Sequence, residues 1–567
     1  MRMRWVRLVM LAGLGAVICT NVRSPAAAGA PEVRVLSSLE TVRPEGTPGG
    51  VGEAKLEAAR GEWESFQVVV HTGAAPMAAL SLRAEPLLGA HGSRIEMRLY
   101  RVGFVQVETP SNTEGAPGLW PDPLIPAVDD FDHQKRNAFP IRVEAGHDGA
   151  AWIDVFVPRT AEPGSYRGAI VVEDGTRAIA RVPVSLLVHR FTLPTTSSLP
   201  VTFGFAASTA GRGHFHRAPT AGEAQDLARK YALAALRDRI GLHGGTGEPA
   251  PYAADGAGKL RIDFAPYDAE IAPFLDGKAD PGGPAEGARW TAFDLRVPYR
   301  LAGAERAAYL AKLEAHLASR GWIDRVFDYT ADEPGDPQLP SVRARAVALR
   351  ESAPRIPRLV TRAPCEGLAG AVDIWCPPMN LVEDKPGAPP LGPLHAPDKV
   401  RRGERVWWYQ SCLSTGCDIV GSGYFTGWPA RVVDAPPVAQ RIFEWLTFRR
   451  GIGGELYYNT VEGYDGDPWR DPLRHGGNGD GTLFYPGRPD TIGGSTQIPV
   501  ESIRLKRIRD GLEDYEYLKL LARLASPAEA QRLARRVADR AFDWDHDPAH
   551  LLSTRAEIAR RLDALTP

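Results

Sequence analysis

Short apolar runs dominate the first third of the chain after its N-terminal segment. In runs such as 66–70, 152–157 and 181–188, apolar side chains alternate with polar ones, and Gly, Pro and Asp separate one run from the next. This period-two pattern is typical of strands that bury one face. Many such runs at short spacing predict an N-terminal β-sandwich over residues 31–195.

The pattern changes after a short linker at 194–198. Apolar strand-like runs now alternate with segments of helical periodicity, which predicts a (β/α)8 TIM-type barrel over residues 199–497. The second and third strands are weakly marked, near 238–243 and 287–295. The clearest predicted helices are at 222–240, 303–319, 340–352 and 438–450.

The C-terminal region, residues 498–567, is predicted to be helical and to pack on the barrel. One apolar stripe runs along its first helix: Ile503, Leu505, Ile508, Leu512, Tyr515, Leu518 and Leu521. The acid-rich segment 509–514 is interpreted as packing and salt bridging against the barrel.

The first 30 residues have the order of a secretory signal peptide. Arg2, Arg4 and Arg7 precede a short apolar run from Leu8 to Cys19, and small residues follow. The run is shorter than the about 20 residues that span a bilayer, so we expect no membrane segment after cleavage. The predicted location is secreted or periplasmic; lipid attachment at Cys19 is the alternative, although Ile18 fits that signal poorly.

Composition indicates a folded globular protein, with 44% hydrophobic and 24% charged residues. The net charge is −2, and loss of the four arginines of the leader takes it to −6, which does not favour nucleic-acid binding. Cys365, Cys376, Cys412 and Cys417 would then remain, compatible with zero, one or two disulfides.

We expect no metal and no cofactor. His214-Phe215-His216 has no third ligand at a known spacing, and the chain has no CxxC pair with companion histidines.

The strongest chemical feature is the run Phe327-Asp328-Tyr329-Thr330-Ala331-Asp332-Glu333-Pro334. A predicted strand ends there at two adjacent acids, and Pro334 is expected to hold Glu333 in an extended or turn geometry. Active sites of barrels form at the C-terminal ends of the strands. Two neighbouring carboxylates suit substrate-assisted cleavage of a 2-acetamido sugar, in which one acid protonates the leaving oxygen and the other holds the acetamido N–H.

Several motifs together resemble glycoside hydrolase family 123 and a wider group of related bacterial exported proteins. They are Asp332-Glu333-Pro334, Val406-Trp407-Trp408-Tyr409, the run 479–487 (GDGTLFYPG) and the run 502–518 (SIRLKRIRDGLEDYEYL). The resemblance implies a sandwich, a barrel and an exo-acting β-N-acetylgalactosaminidase with a retaining mechanism. It also implies that Glu333 is the general acid/base and that Asp332 orients the acetamido group of an oligosaccharide or glycoconjugate.

Aromatic residues at two other predicted strand ends are candidate sugar contacts. Because strand side chains alternate, only about half of each set faces inward. We favour Trp408, Tyr457 and Asn459, with Tyr409 as a further candidate and Trp428 at the rim.

Two alternatives stay open at this stage. One is a glycosidase of different specificity on a bacterial, plant or host polysaccharide, which would pair Glu333 with a carboxylate from another strand. The other is a non-catalytic carbohydrate-binding exoprotein.

Overall fold

A computed structural model of the protein describes residues 30–566 except 246–247, 257–258, 384, 387–399 and 418–423. The predicted signal peptide, with Cys19, lies outside the described residues up to position 29. Within the described part of the chain, no helix combines the length and the apolar character needed to cross a membrane.

The N-terminal domain is rich in β-sheet, as predicted. Its eleven strands form two sheets, one in the order β1-β3-β9-β6-β7 and one in the order β2-β11-β10-β4-β5, with β8 beside β4. Apolar side chains from both sheets meet in one core, for example Phe66 and Val68 of β3 with Ile170 and Val172 of β10. The strands are β1 (Glu32–Ser37), β2 (Ala54–Arg60), β3 (Glu62–His71), β4 (Met77–Leu88), β5 (Arg94–Ile95), β6 (Met97–Val107), β7 (Gly118–Pro126), β8 (Ile141–Val143), β9 (Asp148–Val157), β10 (Gly164–Asp174) and β11 (Arg177–Thr192).

Parallel strands separated by helices follow. They form two sheets in the orders β13-β12-β22-β21 and β16-β17-β18-β19-β20. The strands are β12 (Val201–Gly204), β13 (Gly241–His243), β16 (Phe293–Asp294), β17 (Val326–Ala331), β18 (Arg358–Val360), β19 (Ile374–Trp375), β20 (Arg405–Val406), β21 (Trp408–Tyr409) and β22 (Glu455–Tyr457). The weakly marked second and third strands are present as β13 and β16, and both are short.

The helices of this region lie close to their predicted positions, although the helix expected at 438–450 is divided into α7 and α8. They are α1 (Ala207–Phe215), α2 (Ala221–Arg237), α3 (Ala265–Leu275), α4 (Gly303–Ser319), α5 (Leu339–Ser352), α6 (Cys412–Thr415), α7 (Pro437–Arg441), α8 (Phe443–Arg450) and α9 (Pro489–Ile492). Short antiparallel pairs join them: β14 (Tyr252–Ala254) with β15 (Leu260–Ile262), β23 (Leu473–Arg474) with β24 (Gly477–Asn478), and β25 (Phe484–Gly487) with β26 (Ile498–Glu501).

The C-terminal region is helical, as expected, with one short strand pair. It contains α10 (Ile503–Leu524), α11 (Pro527–Val537), β27 (Ala538–Arg540), β28 (Asp543–Trp544) and α12 (Pro548–Leu565). Ser502 caps α10 by accepting a hydrogen bond from the Leu505 N–H at 3.2 Å.

Helix α10 is buried on all sides from Ile503 to Leu518, whereas the sequence pattern predicts a single apolar stripe. Its charged residues from Arg504 to Glu516 are buried too, and they pair with both neighbouring regions. Arg504 binds Asp122 of β7 and Arg509 binds Asp154 of β9, at 2.7 and 3.0 Å. On the opposite side, Arg441 of α7 binds Asp514 at 2.7 Å. The predicted salt bridging therefore reaches the N-terminal sheets as well as the parallel-strand region.

Candidate active site

Strand β17 delivers the two acids to the C-terminal edge of its sheet. Along it, Phe327 and Tyr329 join a cluster with Leu359 of β18, Ile374 of β19 and Trp407, which lies between β20 and β21. We call the sheet face that carries this cluster the inner face. Asp332 and Glu333 follow directly after the strand, and both are exposed to solvent.

Glu333 has a left-handed backbone, with φ +38°. Of the two expected geometries, extended or turn, the chain adopts a turn at the acid pair. Non-glycine residues rarely adopt this conformation, and where they do the surrounding structure usually holds them at functional sites. Here the Glu333 N–H donates a hydrogen bond to Thr361 Oγ1 at 2.6 Å.

Thr361 also fixes Asp332. It lies just beyond β18, and its hydroxyl donates to Asp332 Oδ1 at 2.8 Å. The Tyr329 hydroxyl donates to the same oxygen at 2.9 Å. Two donors converge on Oδ1, so the second oxygen of Asp332 is left to accept a hydrogen bond from a ligand. Among the residues that the structure describes, neither Asp332 nor Glu333 forms a salt bridge.

Tyr409 supplies the matching contact to Glu333. It stands on the inner face at the end of β21, and its hydroxyl donates to Glu333 Oε1. Burial and the Glu333 carboxylate raise the pKa of Tyr409 far above its usual value, so the hydroxyl keeps its proton. Each acid thus receives a tyrosine hydroxyl on one oxygen.

His243 is a further inner-face residue, at the end of β13. Its ring stacks on that of Tyr329, with centroids 5.7 Å apart, and Nδ1 lies 3.1 Å from Thr202 Oγ1. Burial lowers the pKa of His243 to about 4, so the ring is neutral near pH 7. Sequence reasoning missed His243 and Thr361, although both lie at or just after strand ends and the rule that identified Asp332 applies to them.

Two domain models match the chain. "Glycoside hydrolase 123, catalytic domain" matches residues 305–521, and "Glycoside hydrolase 123 N-terminal domain" matches residues 44–174; together they span more than half of the chain. The chain belongs to glycoside hydrolase family 123.

One solved structure shares the fold of this chain. A family 123 glycoside hydrolase from Clostridium perfringens, described in terms of glycolipid glycan hydrolysis, is 14% identical, with a TM-score of 0.64 over 95% of this chain and 99% of that one. A family 39 glycoside hydrolase from Bacteroides cellulosilyticus is 12% identical over 83% of this chain and 82% of that one, but its TM-score of 0.30 is too low to indicate a shared fold. A search of curated proteins finds no match.

Two predicted sugar contacts of this family 123 hydrolase lie in the hydrophobic core. Trp408 is fully buried; its ring packs on Phe443 at 5.0 Å and its Nε1–H donates to Thr447 Oγ1 at 2.9 Å. Trp428 is fully buried as well, and packs on Phe542 at 5.4 Å. A side chain enclosed in this way cannot contact a sugar, so we withdraw both from the candidate set.

Tyr457 is also directed away from the inner face. In the parallel register it stands beside Phe203 of β12, and the two rings lie 5.4 Å apart in the core between strands and helices. Its hydroxyl donates to Asp480 Oδ1 at 3.2 Å. The residues predicted to face inward, Trp408 and Tyr457, thus point to the other side of their strands. Tyr409, and not Trp408, lies on the inner face with the acid pair.

Asn459 lies at the strand end as predicted, but within a hydrogen-bonded group. Its Oδ1 accepts from the Thr460 N–H at 2.8 Å, and its Nδ2 donates to Glu462 Oε2. The Glu462 carboxylate also lies 3.2 Å from His475 Nε2.

Of the four cysteines that follow the predicted signal peptide, Cys412 and Cys417 form a disulfide, and Cys365 and Cys376 are free thiols. The described residues contain no group of three or more His, Cys, Asp or Glu side chains arranged to bind a metal ion. His214 is buried in α1, where its Nε2 lies 2.7 Å from the Tyr231 hydroxyl.

Proposed function

We propose that the protein is an exported, exo-acting β-N-acetylgalactosaminidase that retains anomeric configuration by substrate assistance. Glu333 is the general acid/base and Asp332 orients the 2-acetamido group. The observation that carries this proposal is the Thr361 hydroxyl, which accepts from the Glu333 N–H and donates to Asp332. One side chain thereby holds both acids in a fixed relation at a single strand end.

The first chemical step uses one oxygen of each acid. The free oxygen of Asp332 accepts the acetamido N–H, which turns the acetamido oxygen toward the anomeric carbon. That oxygen forms a bond to the carbon while the bond to the leaving oxygen breaks, and Glu333 transfers its proton to the leaving oxygen. The product of this step is a cyclic oxazolinium sugar and an anionic Glu333.

The second step reverses the proton transfer. Glu333 removes a proton from a water molecule, the water oxygen bonds to the anomeric carbon, and the bond to the acetamido oxygen breaks. Two displacements give net retention, and no enzyme carboxylate has to act as nucleophile. The exposed positions of both acids leave room for the sugar and the water.

The two parallel sheets are, in this proposal, halves of one (β/α)8 barrel. Supporting this, β22 pairs with β12, so the last strand lies beside the first, and only Trp407 separates β20 from β21. Two side-chain contacts join the two sheets: Tyr409 to Glu333, and His243 to Tyr329. Export rests on the predicted signal peptide, and a glycoconjugate substrate is supported by the glycolipid glycans named for the Clostridium relative.

A substrate panel tests the proposal. Purified protein is assayed on the 4-nitrophenyl β-glycosides of GalNAc, GlcNAc, Gal and Glc, and we expect turnover only where the 2-acetamido group is present. Comparable cleavage of Gal or Glc would refute substrate assistance and indicate a glycosidase of another specificity.

The roles of the two acids are tested separately. Glu333→Gln should lower kcat by about 10²–10⁴-fold, the usual contribution of general acid catalysis. Asp332→Asn should weaken binding of a thiazoline inhibitor, which mimics the cyclic intermediate. Exposed Asp324→Asn, on the turn before β17, is the matched control and should leave both properties unchanged.

A further inference from the structure

A second polar group lies at the end of β22, and the chemistry of the acid pair does not use it. It comprises Tyr458, Asn459, Glu462 and His475, which we call the β22 cluster. Asn459 Nδ2 donates to one oxygen of Glu462, and His475 Nε2 lies 3.2 Å from the other. The Tyr458 and His475 rings are 6.3 Å apart.

Strand order sets the β22 cluster opposite the acid pair. Three strand positions separate β17 from β22 along one path, namely β18, β19 and β20 with β21, and three along the other, namely β16, β13 and β12. If the sheets close into the proposed barrel, Glu462 and Glu333 face each other across its opening. A pyranose whose C1 and C2 lie at Glu333 and Asp332 then directs C4 and C6 toward the cluster.

Among the described residues, Glu462 forms no salt bridge with a Lys or an Arg, although its side chain is only 32% exposed. Asp465, on the same 3₁₀ turn, binds Arg212 at 2.7 Å. Glu462 is instead held by Asn459 Nδ2 and His475 Nε2, one on each carboxylate oxygen, so each oxygen keeps a lone pair for a further hydrogen bond.

The backbone brings the cluster together at some conformational cost. His475 occupies a left-handed position, φ +48°, in the two-residue turn between β23 and β24, where Asn or Gly is the usual choice. Gly481 allows the main chain to approach: a Cβ there would clash with the Tyr458 hydroxyl and lie 2.8 Å from Glu462 Cβ. The Glu462 N–H donates to Gly481 O at 3.0 Å.

We infer that Glu462 and His475 bind the C4 and C6 hydroxyls of the terminal sugar and so select the galacto configuration. This inference rests on the proposed function, since it names the part of the substrate that the β22 cluster binds. A carboxylate accepts hydrogen bonds from two nearby hydroxyls, and the second ring nitrogen of the imidazole is a further hydrogen-bonding site. The two fixed contacts on Glu462 hold its plane ready for that purpose.

Kinetics on deoxy substrates test the inference. We expect Glu462→Gln to lower kcat/KM for 4-nitrophenyl β-GalNAc by about 10–100-fold, the effect of weakening a hydrogen bond to a charged group. On the 4-deoxy or 6-deoxy analogue that lacks the bound hydroxyl, the same change should have less than about a third of that effect. His475→Asn, which tolerates the left-handed backbone, should reduce the preference for GalNAc over GlcNAc.

Asp465→Asn is the matched control, since it removes the same charge from the same turn. The inference is overturned if Glu462→Gln behaves like Asp465→Asn, or if Glu462→Gln lowers kcat/KM on both the 4-deoxy and the 6-deoxy analogue as much as on 4-nitrophenyl β-GalNAc. Calorimetric titration with free GalNAc distinguishes failure of the proposed glycosidase activity from failure of sugar binding by the β22 cluster. Wild-type protein that binds GalNAc more tightly than Glu462→Gln but cleaves no glycoside would contradict the proposed function and support the cluster; equal binding would contradict the cluster.

Discussion

The hydroxyl of Tyr409, at the end of β21, donates a hydrogen bond to Oε1 of Glu333, just after β17, although the two strands belong to different sheets. In the proposed mechanism, this contact leaves the other oxygen of Glu333 to the substrate. Tyr409 is then the residue of the run Trp407-Trp408-Tyr409 that bears on the chemistry, because its side chain reaches the acid pair.

Removal of the Tyr409 hydroxyl should slow the reaction more than it weakens binding. We expect Tyr409→Phe to lower kcat by about 10–100-fold, because a hydrogen bond to a charged group contributes about 1.5–3 kcal/mol. The Michaelis constant and the thermal midpoint should change little. Tyr299→Phe, at an 85% exposed tyrosine, is the control. A clear fall in the thermal midpoint that accompanies the fall in kcat would instead indicate a structural role.

Thr361 should be needed for its hydroxyl and not for its volume. Thr361→Val removes the acceptor of the Glu333 N–H and the donor to Asp332, so we expect kcat/KM to fall by at least about tenfold. Thr361→Ser keeps both hydrogen bonds and should retain most of the activity. Steady-state kinetics of the two variants distinguish the cases; equal activity would show that the acid pair does not depend on this hydroxyl.

The Asp122–Arg504 pair should be important for stability. Asp122→Ala leaves the Arg504 guanidinium buried without its carboxylate, which typically costs about 3–5 kcal/mol. We expect a clear fall in the thermal midpoint. Glu85→Ala breaks the exposed pair with Arg181 and should cost no more than about 1 kcal/mol. Similar midpoints for the two variants would contradict this assignment.

Stability should fall as the pH is lowered through the range of His214. Burial lowers the pKa of His214 to about 4 from an ordinary 6.5. The unfolded chain therefore binds a proton first, and the stabilisation that is complete above pH 6.5 is lost as the pH falls to about 4, on the order of 3 kcal/mol. In denaturant unfolding at several pH values, His214→Gln should show a smaller pH dependence than wild type. An identical slope would refute the prediction.

The sequence predicts elements well where a pattern is local. The apolar run before Asp332 marks a strand, the strand-end rule marks the acids, and α4 lies at its predicted position. Facing is harder. The run 406–409 is apolar throughout, so it has no polar alternation to show which side faces inward, and one residue of register separates Trp408 from Tyr409.

Long-range pairing is not visible in the sequence either. The partners of α10 come from strands hundreds of residues earlier, as in Arg509 with Asp154, and only the folded chain shows that these charges are buried. The β22 cluster likewise combines a strand end with the tip of a hairpin. Side chains that meet through tertiary structure carry no spacing signal along the chain.

Helix α10 also bears on how such a protein can evolve. Because its buried charges are neutralised from both sides, neither the N-terminal sheets nor the parallel-strand region can be inherited or exchanged without the other. Recombination at the 194–198 linker would leave unpaired charges such as Arg504 in a new core. The two regions are therefore expected to diverge together as a single evolutionary unit, with changes in specificity confined to the strand-end loops.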